Sequence, residues 1–67
     1  MMIMVEDMDG NTIFRGDADD FLFENDNDMD LEIILNDLES EKVGTTINAY
    51  NSDNEVVSIT KAVGCIR

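Results

Sequence analysis

Apolar residues form short strand-like runs at both ends of this chain and follow a helical period in the middle. Residues 2–8 read as a strand, followed by Asp9-Gly10, a dipeptide suited to a tight hairpin turn. Residues 11–15 (Asn11, Thr12, Ile13, Phe14, Arg15) read as the returning strand, with Gly16 as its end. Over residues 28–42, Leu31, Ile34, Leu35 and Leu38 recur at i, i+3, i+4 and i+7, which predicts an amphipathic helix. Asp28 or Asn27 is a suitable cap, Asp30 and Glu32 fall in the first turn, and Lys42 falls in the last. Gly44 follows, where a left-handed residue ends a helix. Residues 45–50 are rich in strand formers, Asn51-Ser52-Asp53-Asn54 is a turn cluster, and residues 55–63 return as a strand. Val57, Ile59 and either Ala62 or Val63 point inward in that last strand.

Residues 17–25 admit two readings. Asp17 is able to cap a short helix with Asp19 and Asp20 in its first turn and Phe21-Leu22-Phe23 as its apolar contact. The same apolar triplet also suits a short extended piece against the core. The order of the clear elements is ββαββ. This is an α+β domain, a small four-stranded antiparallel sheet with one amphipathic helix across one face.

Size limits what such a domain does. The 67 residues make one small domain, and Cys65 is the only cysteine, so no disulfide forms within the chain. That composition fits a reducing compartment or indifference to redox state. An apolar content of 43% argues against wholesale disorder, and no apolar run approaches the ~20 residues of a membrane span. Met1 to Val5 lack a basic leader, so the expected location is the cytoplasm.

Charge changes the picture more than composition does. Residues 17–41 hold eleven carboxylates and no Lys or Arg, carrying −11 of a formal net charge of −12. These acids are Asp17, Asp19, Asp20, Glu24, Asp26, Asp28, Asp30, Glu32, Asp37, Glu39 and Glu41. A one-signed local field opposes folding by self-repulsion and attracts partners of opposite sign. Anionic membranes and nucleic acids are repelled, which excludes both as direct partners. On a helical wheel with Leu31 at zero, the buried stripe spans roughly −60° to +40°. Asp28, Glu32 and Glu39 then fall near about 60–100°, and Asp30, Asp37 and Glu41 near about 240–280°. The acids flank the stripe as two rails, a row-like layout of fixed negative charge that DNA also presents.

Solvated helix faces ordinarily carry charge, and one reading of the acidity is solubility alone; but ordinary faces intersperse both signs. Asp37/Glu41 and Asp28/Glu32 are like-charged i,i+4 pairs without a basic neighbour. Salt adaptation fits poorly, because the last third of the chain is slightly positive. Ile33 lies at about 200°, opposite the stripe. It is either an ordinary exposed apolar residue or an anchor within an acidic interface. Met29 has the same two readings.

Asp26-Asn27-Asp28-Met29-Asp30 has the D-x-D-x-D start of a calcium loop, but Leu31 stands where the loop needs Gly and Asp37 replaces the final Glu. The expectation is diffuse cation binding at most, with no specific metal site and no cofactor. The chain has no His, and Cys65 has no local basic partner beyond Arg67, so enzyme activity is not expected. Edge strands of the sheet offer a further route to partners, including a homodimer.

With eleven acids from Asp17 to Glu41 on and before a helix beside a small sheet, the chain resembles the small acidic inhibitors made by bacteriophages. These include anti-CRISPR proteins and inhibitors of DNA-repair glycosylases, several of which mimic DNA. The resemblance implies a viral, non-enzymatic module that blocks a basic nucleic-acid-binding host protein in the host cytoplasm. Its binding residues would be the eleven acids together with Ile33. The alternatives are a structural or assembly module, homodimeric or not, whose acidity serves solubility, and a weak Ca2+-binding protein.

Overall fold

The computed structural model describes residues 1–62; Val63 and the tail Gly64–Arg67, with Cys65, lie outside the described residues. The elements are β1 (Met2–Glu6), β2 (Thr12–Asp17), α1 (Ala18–Glu24), α2 (Met29–Glu39), β3 (Thr46–Tyr50) and β4 (Val56–Lys61). The four strands form one antiparallel sheet in the order β2-β1-β4-β3. The α+β class and the four-stranded sheet are as the periodicity predicts. The order is ββααββ, with two helices where the pattern predicts one for certain.

The second helix comes from residues 17–25. Asp17 ends β2 and caps α1, its carboxylate accepting from the Asp19 amide at 2.9 Å. Strand therefore passes into helix with no intervening loop. The chain leaves the sheet at the β2 edge, crosses through both helices, and re-enters at the opposite edge as β3. The described chain ends, β1 and β4, pair at the sheet centre.

Alternation in the strands sends Ile3, Val5, Ala49, Val57 and Ile59 to one face, where they meet Ala18 and Phe21 of α1 and Leu31, Leu35 and Leu38 of α2. Each large side chain fully buried here contributes roughly 1.5–3 kcal/mol. Ile34 belongs to the predicted stripe but is only half-buried at its margin. Phe14 of β2 packs its ring 5.2 Å from that of Phe21. Gly16 sits inside β2 rather than at its end: it pairs with Ile3 and leaves room for the Phe14 ring, which a Cβ would meet at 3.4 Å.

The opposite sheet face is bare among the described residues. It carries the alternate positions Met2, Met4 and Glu6 of β1, Val56, Ser58 and Thr60 of β4, and Thr46, Asn48 and Tyr50 of β3, with Arg15 opposite Met4. Hydroxyl and amide groups join across it, Thr46 Oγ1 to Thr60 Oγ1 at 2.8 Å and Ser58 Oγ donating to Asn48 Oδ1 at 3.1 Å.

Three boundaries move for local reasons. β1 stops at Glu6 because Asp7 turns the chain, its Oδ1 accepting from the amides of Asp9 and Asn11, both at 2.9 Å. α2 stops at Glu39, short of the predicted 42, with the Ser40 hydroxyl donating to the Asp37 carbonyl. Gly44 does not cap the helix; its φ of +97° shapes the later turn into β3, where its amide donates to the Lys61 carbonyl at 2.7 Å.

Candidate acidic interface

Ten of the eleven acids of residues 17–41 belong to the helices or their connections, and Asp17 ends β2 as the cap of α1, so the acidity gathers on the helical side of the domain. The other face carries Glu6 and Arg15 among hydroxyl, amide and apolar groups. This segregation follows from topology: both helices lie between β2 and β3 in sequence and on one side of the sheet in space.

Local structure accounts for some of these acids. Asp17 and Asp28 are helix caps; Asp28 Oδ1 accepts from the amides of Asp30 at 2.9 Å and Leu31 at 3.3 Å. Asp19, Asp20, Asp30 and Glu32 occupy first turns, where the helix dipole favours a negative charge. Asp26 and Asn27 take left-handed backbone, at φ 60° and 55°, between the helices. Asp and Asn tolerate that region better than most residues, which gives Asp26 a conformational role.

The rest run against local preference. Glu24 is the last residue of α1, and Asp37 and Glu39 lie in the last turn of α2, with Glu41 just beyond. Neither helix has a basic residue in its last turn. Negative charge there meets the negative end of the dipole. Among the described residues the only ion pair is between the Met1 ammonium and Asp17, at 3.7 Å. Lys61 of β4 donates its Nζ to the main-chain oxygens of Glu39 at 2.6 Å and Glu41 at 2.7 Å instead of to a carboxylate.

The predicted rails are shorter than drawn. Asp28 leaves the Glu32/Glu39 side as the cap, and Glu41 leaves the Asp30/Asp37 side because the helix ends before it. Asp30, Glu32, Asp37 and Glu39 remain on the helix and all are exposed. Ile33 is 55% exposed between them. The calcium-loop register fails: Asp28 is occupied as a cap and Asp30 is already helical. Among the described residues no three His, Cys, Asp or Glu side chains are grouped to hold a metal ion.

A groove of about 450 Å³ opens between α2 and β3, lined by Asp28, Asp30, Ile33, Ile34 and Tyr50 with neighbouring residues of β3 and the turn after it. Tyr50, 63% exposed, and Phe23, 74% exposed on α1, are apolar surface residues that pattern reading missed. Phe23 belongs to an apolar triplet, and only the helical turn, which separates it from buried Phe21, reveals its exposure. Tyr50 is marked by alternation, since it shares a face with Thr46 and Asn48.

No helix among the described residues is long and apolar enough to cross a membrane. Comparisons with protein-family models, curated proteins and solved structures find no match for this chain.

Proposed function

We propose that the chain is an acidic protein-binding module that occupies the basic nucleic-acid-binding surface of another protein in place of DNA or RNA. One observation carries the reading: Glu24, Asp37, Glu39 and Glu41 stand at helix C-terminal ends and none of their carboxylates is in an ion pair among the described residues, since Lys61, at the end of α2, bonds to main-chain oxygens instead. Solubility alone is served as well by acids at favourable positions or by mixed charge. Acids held where the fold disfavours them fit a surface shaped by what it binds.

The mechanism needs no bond chemistry. Carboxylates of the helical layer take the place of phosphates against Lys and Arg, and long-range attraction speeds encounter. Exposed Ile33, Met29 and Phe23 supply apolar contact within the acidic face. The module then competes with nucleic acid for the same groove, as DNA mimics among the phage-encoded inhibitors it resembles do, and its place of action is the host cytoplasm.

The test is displacement of labelled DNA or RNA from a panel of basic nucleases and repair glycosylases at rising salt. The expected result is displacement that weakens with salt and with neutralisation of Glu24, Asp37, Glu39 and Glu41. Tight binding that ignores both salt and neutralisation overturns the reading, as does failure to displace nucleic acid from any member of the panel.

A further inference from the structure

β3 is an open template. Asn51 donates its amide to the Glu55 carbonyl at 3.0 Å, and Lys61 donates its own to the Thr45 carbonyl at 2.9 Å. In an antiparallel ladder hydrogen-bonded pairs alternate, so Ile47 and Ala49 also bond to β4, while the N–H and C=O groups of Thr46, Asn48 and Tyr50 point to the outer edge. Edge strands are commonly protected by charge, proline or a bulge. Thr46–Tyr50 contains no charged residue and no proline, and its register with β4 is continuous. At the other edge, β2 carries Arg15, and its pairing with β1 shifts register between Val5 and Glu6.

α2 runs beside this edge. Its start lines the groove with Tyr50. Its end lies at Lys61, which is hydrogen-bonded to Thr45 at the start of β3. Helix and strand are therefore antiparallel, and Asp37 follows Asp30 at about 10.5 Å along the helix axis on the same side. A five-residue strand such as β3 spans about 16 Å, so the acidic side of α2 runs along most of it. The groove thus combines unused strand hydrogen bonds, an apolar side from Ile33 and Ile34 of α2 with Tyr50 lining it from β3, and carboxylates with no cation partner among the described residues.

We infer that this groove takes an extended basic segment of the partner, added as a fifth strand on β3, with Lys or Arg side chains toward Asp30 and Asp37 and an apolar side chain against Ile33. The inference rests on the proposed function for the identity of the partner and adds how the partner is held. Charge selects the occupant. A second copy pairing through β3 would bring two Asp30/Asp37 sides together, whereas a basic strand neutralises them.

The test uses a short alternating Lys-Val peptide and a twin of equal charge N-methylated at alternate residues, each titrated into the labelled chain. The unmodified peptide is expected to shift amide signals in residues 46–50 and 30–37 and to slow hydrogen exchange at Thr46, Asn48 and Tyr50. The twin, lacking strand donors, is expected to bind on the order of tenfold more weakly. Asn48→Pro, which removes an outward-facing donor on an edge strand together with the side-chain contact to Ser58, and Ile33→Ser are each expected to weaken binding of the unmodified peptide, while Asn48→Ala, which loses the Ser58 contact alone, is expected to leave it unchanged. Equal affinity for both peptides, or shifts spread over every acid, overturns the groove and leaves the charge-based function to its own displacement assay. Protection of the same amides by self-association, seen in sedimentation without peptide, overturns the basic occupant. Strand-like peptide binding together with failure to displace nucleic acid supports the groove and overturns the proposed function alone.

Discussion

The Lys61 ammonium bonds to the Glu39 carbonyl oxygen at 2.6 Å, so the last strand caps the second helix. The same Nζ reaches the Glu41 carbonyl at 2.7 Å. This is the favourable cation at the end of α2 that the helix's own last turn lacks. It satisfies exposed main-chain oxygens and leaves the nearby carboxylates unpaired. Lys61→Met retains the aliphatic stem and removes the donor. The expected cost is roughly 1 kcal/mol, discounted for partial exposure, read as a lower urea midpoint at unchanged m-value.

The acids divide into two groups with opposite effects on stability. Asp17→Ala and Asp28→Ala remove caps and are each expected to destabilise by about 1 kcal/mol. Glu24→Gln, Asp37→Asn, Glu39→Gln and Glu41→Gln relieve repulsion and are each expected to stabilise by a few tenths of a kcal/mol. Chemical denaturation of the six single variants at low salt checks this. If the second group destabilises too, those acids have structural partners and the argument for function loses its footing.

Much of the fold was legible because it rests on periodicity. Leu31, Leu35 and Leu38 recur at helical spacing and are buried, and Val57 and Ile59 alternate inward as read. What failed needed contacts between distant residues. α1 has seven residues and only Phe21 and Ala18 buried, too little pattern to separate helix from strand. Proximity in sequence points to Lys42 as the cation for α2, yet Lys61 supplies it from across the fold. Asn25, in the segment that admits both a short helix and an extended piece, donates to the Phe21 carbonyl and accepts from Ser52 Oγ at 3.0 Å, tying α1 to the β3–β4 turn. For the acidic site, composition located the charge, but only the helix ends distinguished acids that cap from acids that oppose the dipole. The groove beside β3 requires knowing which strand is the edge.

Asp7 makes the first hairpin sensitive to acid. Hydrogen bonding from the Asn11 main chain, followed by that from Asp9, holds its carboxyl below the usual carboxylate range. Because the folded value lies below the unfolded one, this stabilisation is full above the unfolded pKa. It is lost as pH falls through the folded pKa. Asp7→Ala is expected to destabilise the chain at neutral pH, and its gap from the parent should narrow on acidification through that range. Paired thermal melts along an acid series measure the gap; a gap constant with pH would mean the carboxylate charge contributes nothing to the turn.

The last prediction joins charge to rate. Neutralising Glu24, Asp37, Glu39 and Glu41 together moves the formal net charge from −12 to −8 while leaving both caps and the core in place. Attraction between separated partners is screened beyond a Debye length of about 10 Å at 0.1 M salt. Steering therefore depends on the summed field and acts before contact, whereas short-range contacts govern dissociation. For any basic protein the chain captures, the association rate of the parent is expected to fall steeply with salt. That of the four-fold variant should start lower and fall less steeply, the two converging at high salt. Dissociation should change less than association. Stopped-flow mixing over a salt series separates the two rates. The variant should also be the more stable protein by denaturation, so a loss of association cannot be attributed to unfolding. Parallel salt slopes for parent and variant would place the contact away from these helix ends and remove the reason for regarding their charge as functional.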